Sequence, residues 1–183
     1  MQAAWRCVER VSGVMRAGQP CALAALESEL ESFPHGVDPA LERRWLTNAI
    51  DYEALGAIEW MIERQVDLSY IDEEGFTPIT SALQIENEVT RHAVLRLLLH
   101  AGARHDLIAA DGGTAAHFAA NRGDVEALRI LAEFGADLCA ATEDLGSWKT
   151  PADVARYHKH AQALEYLEKL CSGVDRRRDR SNI

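Results

Sequence analysis

The sequence predicts an all-α fold, a solenoid of stacked helix-turn-helix units with short finger loops. Three observations predict it. A common outline recurs along residues 72–171, apolar residues inside each copy return at helical spacing, and Thr, Pro and Gly punctuate the copies at matching places. The 183 residues suffice for one domain or one short array, and 48% hydrophobic with 26% charged residues is ordinary globular composition.

Taken in order, residues 1–37 are expected to form a divergent helical cap, since 2–33 show helical apolar spacing. Residues 38–71 form a degenerate repeat. Its Leu46-Thr47-Asn48-Ala49-Ile50, Ile58-Glu59-Trp60-Met61-Ile62 and Val66-Asp67 superpose on a later copy at a constant offset of 70 residues, without a gap. Residues 72–108 carry Gly75-Phe76-Thr77-Pro78-Ile79-Thr80-Ser81-Ala82, then Leu95 to Leu99, then Gly102-Ala103. Residues 109–141 carry Gly112-Gly113-Thr114-Ala115-Ala116-His117-Phe118-Ala119-Ala120, then Leu128 to Leu131, then Gly135-Ala136-Asp137. A capping repeat at 142–171 carries Thr150-Pro151-Ala152-Asp153-Val154-Ala155 and Leu164 to Leu167. These units belong to one predicted domain, 1–171, followed by a basic, solvated tail at 172–183 with four Arg and two Asp.

Each punctuating residue has a physical role. Pro78 and Pro151 fit the first turn of a helix, where the missing N–H would be unpaired anyway. Thr77, Thr114 and Thr150 can cap that turn through a hydroxyl. Gly102 and Gly135 fall where a helix needs a left-handed terminator. Two departures stand out. About four extra residues around Glu86-Asn87-Glu88-Val89, against a repeat of about 33, lengthen a helix or the turn after it. The connection Ala140 to Lys149, with Glu143, Asp144 and Trp148, is expected to project as an extended finger.

These residues resemble the ankyrin repeat, whose signature is a tight turn, a T-P-L-H-x-A helix start and a second helix ending at Gly-Ala. The resemblance implies a non-catalytic module that holds another protein on a concave surface built from fingers and first helices. Carried over position by position, that surface takes Asp51 and Tyr52 from the degenerate repeat, and Glu73, Glu74, Phe76, Gln84 and Ile85 from the next. It takes Asp111, Gly113, Asn121 and Arg122 from the following one, and Trp148, Lys149, Tyr157 and His158 from the last. Phe76 and Tyr157 either face the partner or pack between repeats. His117 falls on the signature histidine, which implies a structural hydrogen bonder between adjacent turns. Small acidic arrays of this kind in bacteria resemble immunity proteins that neutralise a toxin, and an adaptor role is the alternative. The excess of 16 Arg over three Lys is compatible with such a source.

The net charge of -10 argues against duplex DNA or an anionic membrane as partner and favours a protein with a basic surface. No apolar run approaches the roughly 20 residues of a membrane span. Arg6, Glu9, Arg10 and Arg16 interrupt any secretory apolar core near the start, so a cytoplasmic location is expected. Cys7, Cys21, Cys139 and Cys171 form no CxxC pair and are expected as reduced thiols. No metal, cofactor or small-molecule substrate is expected. A catalytic or metal role for His158 and His160 would require an irregular backbone, because alternate residues do not share a helix face. Gly112-Gly113 lacks the Lys and the spacing of a phosphate loop.

Overall fold

The computed structural model describes residues 2–142 and 149–178, with side chains for 9–142 and 149–172. The chain divides into two compact units, Met1–Arg104 and His105–Ile183.

The first unit contains α1 (Gln2–Ala17), α2 (Pro20–Glu29), a small antiparallel hairpin of β1 (Val37–Asp38) and β2 (Arg43–Arg44), α3 (Trp45–Asp51), α4 (Leu55–Glu63), α5 (Pro78–Ala82) and α6 (Glu88–His100). α3 packs on α5 and α4 on α6, so first helices stack on first helices and second on second. α1 and α2 lie against α4. They bury Met15, Leu23 and Leu26, while α4 buries Ala57, Ile58 and Met61. The chain backbones touch there. A Cβ on Gly18 would lie 3.1 Å from the Gly56 Cα, so two glycines admit the close approach. Trp45 and Trp60 are buried, and Phe33 lies against both.

Four more residues in α6 than in α4 or α8 (Val125–Glu133) account for the insertion near Glu86: 13 against nine. They add a helical turn at the start of α6, capped by the Asn87 side chain accepting the Thr90 N–H. Buried Arg91 reaches back from that turn and donates to the carbonyls of Ile85 and Glu86 at 2.7 and 3.1 Å.

The second unit contains α7 (Ala115–Arg122), α8, α9 (Pro151–Tyr157) and α10 (Ala161–Arg178). α7 packs on α9 and α8 on α10. Leu128, Ile130, Leu131, Ala155 and Leu167 are fully buried. The expected finger at Glu143, Asp144 and Trp148 lies outside the described residues, and at its base the Thr142 N–H donates to the Lys149 carbonyl at 2.8 Å.

The expected hydroxyl caps form at Thr77 and Thr150. Thr77 and Thr80 satisfy each other's backbone N–H reciprocally, and Thr150 and Asp153 do the same. One expectation is corrected. Cys139 and Cys171 are joined by a disulfide rather than reduced, because α8 and α10 pack side by side and bring the two Cα atoms to 5.7 Å, within bonding reach. Cys21 is free and exposed. Residues 172–178 of the basic tail continue α10. Arginine is a good helix former, which favours that continuation.

Candidate functional site

In the first unit the candidate residues gather around one arginine. Asp51 closes α3, and the Arg43 guanidinium donates to its Oδ2 at 2.6 Å and lies 3.5 Å from Glu74. Two acids expected to face a partner therefore share an internal cation. Asp72 shapes the finger that carries the others, its Oδ1 accepting the N–H groups of Glu74 and Phe76. Glu73 and Gln84 are exposed and Phe76 is half-buried. Tyr52 is half-buried with the Arg16 guanidinium over its ring at 4.9 Å, and burial followed by the Asp38 charge raises its pKa. Ile85 is corrected: at 5% exposure it is core rather than surface, since the turn into α6 folds it inward. Arg43 and Arg16 were missed by sequence reasoning, because only the fold brings them beside Asp51 and Tyr52.

In the second unit the candidates converge on a cleft of about 150 Å³, lined by Asp111, Gly113, His117, Phe118, Asn121, Val154 and His158. The finger places Asp111, whose Oδ1 accepts the Gly113 N–H at 2.9 Å. α7 places His117 and Phe118 in one turn and Asn121 in the next, and His158 ends α9. Arg122 is half-buried at the end of α7, and Lys149 is exposed. Tyr157 is 59% exposed, with its ring edge-to-face on His158. Trp148 lies outside the described residues. Phe118 was missed, although it directly follows the signature histidine.

His117 spans two turns. Its Nδ1 accepts the Thr114 N–H at 3.2 Å and lies 2.9 Å from the Thr114 hydroxyl, while its Nε2 lies 3.2 Å from the Lys149 carbonyl. A carbonyl only accepts, so Nε2 carries the proton and donates. Burial lowers the His117 pKa, in keeping with this neutral tautomer.

His158 and His160 meet through an irregular backbone, with Lys159 at φ 62° between them, and their rings stack at 6.1 Å. The His160 Nε2 lies 2.9 Å from the Asn121 carbonyl, which its N–H can reach as donor. Its ring fills the space over Gly123, where a Cβ would come within 2.6 Å. Among the described residues no group of three or more His, Cys, Asp or Glu is placed to hold a metal ion. None of the described helices is long and apolar enough to cross a membrane.

Paired helices stacked first on first and second on second, with reciprocal threonine caps and a histidine tying adjacent turns, have a counterpart among known proteins. The family model described as ankyrin repeats (3 copies) matches residues 86–177. The chain belongs to the ankyrin-repeat family. Two curated relatives are similar to it: Ankyrin repeat domain-containing protein 63 of Mus musculus, 33% identical over 120 residues, and the Homo sapiens protein of the same name, 32% identical over 120 residues. Each alignment covers 64% of this chain but only 30% and 31% of the relatives, so the match spans less than a third of their length. Ankyrin repeats are generally non-catalytic protein–protein interaction modules.

Proposed function

We propose that this ankyrin chain is a non-catalytic module that binds a partner protein bearing a basic surface, acting as an inhibitor in the manner of an immunity protein. The observation that carries the reading is the second-unit cleft. Asp111, Asn121 and His158 take no part in the reciprocal threonine caps, and they gather with Phe118 around one opening. Exposed Glu73 and the net charge of -10 support a basic partner, whose capture such a field would speed. A cytoplasmic setting goes with this proposal. The adaptor reading shares the same surface and differs only in what happens to the partner.

The test is affinity purification with the tagged chain, followed by assay of the captured partner. An inhibitor abolishes the partner's activity at stoichiometric ratio, whereas an adaptor leaves it intact. Charge reversal of Glu73 and Asp111 together should weaken capture, and so should rising salt. Capture indifferent to both would remove the basic-partner proposal.

A further inference from the structure

The two glycines of the second-unit finger have different reasons to be glycine. Gly112 has φ 85°, a left-handed conformation that disfavours any side chain. Gly113 is not in that region, so its backbone imposes no such demand. The residue standing immediately before the capping threonine in the preceding repeat is Phe76, a large side chain. What Gly113 provides is space. A Cβ there would lie 3.3 Å from the Asp111 Oδ1, 3.3 Å from a ring carbon of Phe118 and 3.4 Å from the His117 Cβ. The bare Cα therefore keeps an opening between a carboxylate and an aromatic ring, which is the floor of the cleft.

We propose that this opening receives an arginine side chain of the partner protein, with Asp111 pairing its guanidinium and Phe118 stacking on it. The inference rests on the protein-binding reading above and names the chemistry the cleft selects. Asp111 is exposed, and its orientation is fixed by the Gly113 N–H on Oδ1. Its Oδ2 makes no hydrogen bond among the described residues. A carboxylate held this way can take the forked N–H groups of a guanidinium. Half-buried Phe118 and the imidazole of His158 supply flat surfaces, on which a planar, weakly hydrated guanidinium stacks better than a compact ammonium. His117 adds no opposing charge, since burial holds its pKa down and both ring nitrogens are engaged within the unit. An anion would meet the Asp111 carboxylate, and an aliphatic side chain would leave it without a partner.

The experiment is selection of a random peptide display library on the full chain, followed by binding measurements on synthetic peptides from the enriched set. The expected result is a shared arginine whose replacement by citrulline, a neutral near-isostere, weakens binding about tenfold or more. Asp111→Asn retains an acceptor for the Gly113 N–H but loses the charge. It should weaken the arginine peptide similarly and leave almost no further response to citrulline, the mark of direct coupling. Gly113→Ala keeps the charge and narrows the opening, and should also weaken binding while the circular dichroism spectrum is unchanged. Enriched peptides without a shared arginine, or an arginine that tolerates citrulline, would overturn this inference and leave the protein-binding reading standing. A selection that enriches no peptide counts against both.

Discussion

The repeat at residues 38–71 and the repeat at residues 109–141 share one frame and build it with different chemistry. Their second helices, α4 and α8, are each nine residues long and lie at the same 70-residue step. The left-handed positions after the helices keep that step too. Glu53 (φ 54°) corresponds to Gly123 (φ 72°), and Gln65 (φ 57°) to Gly135 (φ 84°). The later repeat uses glycine at both places, whereas the earlier one holds side-chain-bearing residues in a disfavoured conformation. The tie between turns also changes. In the later repeat His117 reaches the Lys149 carbonyl. In the earlier one Thr47 occupies the corresponding place and is too short to span the gap, so buried Tyr70 reaches back to its hydroxyl at 2.8 Å. Burial, partly opposed by that bond, pushes the Tyr70 pKa up to about 12. The comparison teaches that the frame follows from buried apolar positions and turn geometry rather than from the signature letters.

If that is so, equivalent core deletions should cost alike. Leu131→Ala and Met61→Ala, 70 residues apart and both fully buried, should each lose about 2–5 kcal/mol in urea denaturation. A near-zero loss for Met61 would break the equivalence. The disulfide sharpens the contrast, because it staples α10 to the loop after α8 in the second unit alone among the described residues. Replacing both Cys139 and Cys171 by Ser should cost about 3 kcal/mol under oxidising conditions and almost nothing relative to the wild type kept in reductant.

The ties between turns should differ in their response to acid. The folded pKa of His117 lies below its unfolded value of about 6.5, so the folded state binds fewer protons between the two. The His117 contribution is complete above about pH 6.5 and is lost as pH falls toward the folded value. His117→Gln should cost about 1–2 kcal/mol at neutral pH and flatten that segment of the stability curve. Thr47→Val should lower stability without changing the acid dependence, since the hydroxyl does not titrate there. The smallest expected effect concerns the left-handed turns. Gln65→Gly should stabilise by up to about 1 kcal/mol, and Gly135→Ala should destabilise by about the same amount, both read from the melting temperature.

Much of this molecule was legible along the chain. Thr77, Thr114 and Thr150 marked helix starts, Gly102 and Gly135 marked helix ends, and the gapless 70-residue match located α3 and α4 despite their missing signature. These signals are local, because a cap or a terminator acts within one turn of its own residue. The second-unit candidates Asp111, Asn121 and His158 were named from repeat position alone, and the fold lines one cleft with them. What the chain could not reveal depends on groups brought together from distant positions. The Arg43 pairing with Asp51 and Glu74, the Cys139–Cys171 bond and the inward turn of Ile85 each follow from how helices lie on their neighbours. The Phe118 ring opposite the Asp111 carboxylate is of the same kind, because only the folded turn puts both beside the bare Cα of Gly113. Sequence determined the periodic frame through short-range backbone chemistry. Tertiary packing decided which side chains meet, because contact between remote residues is set by three-dimensional distance and not by spacing along the chain.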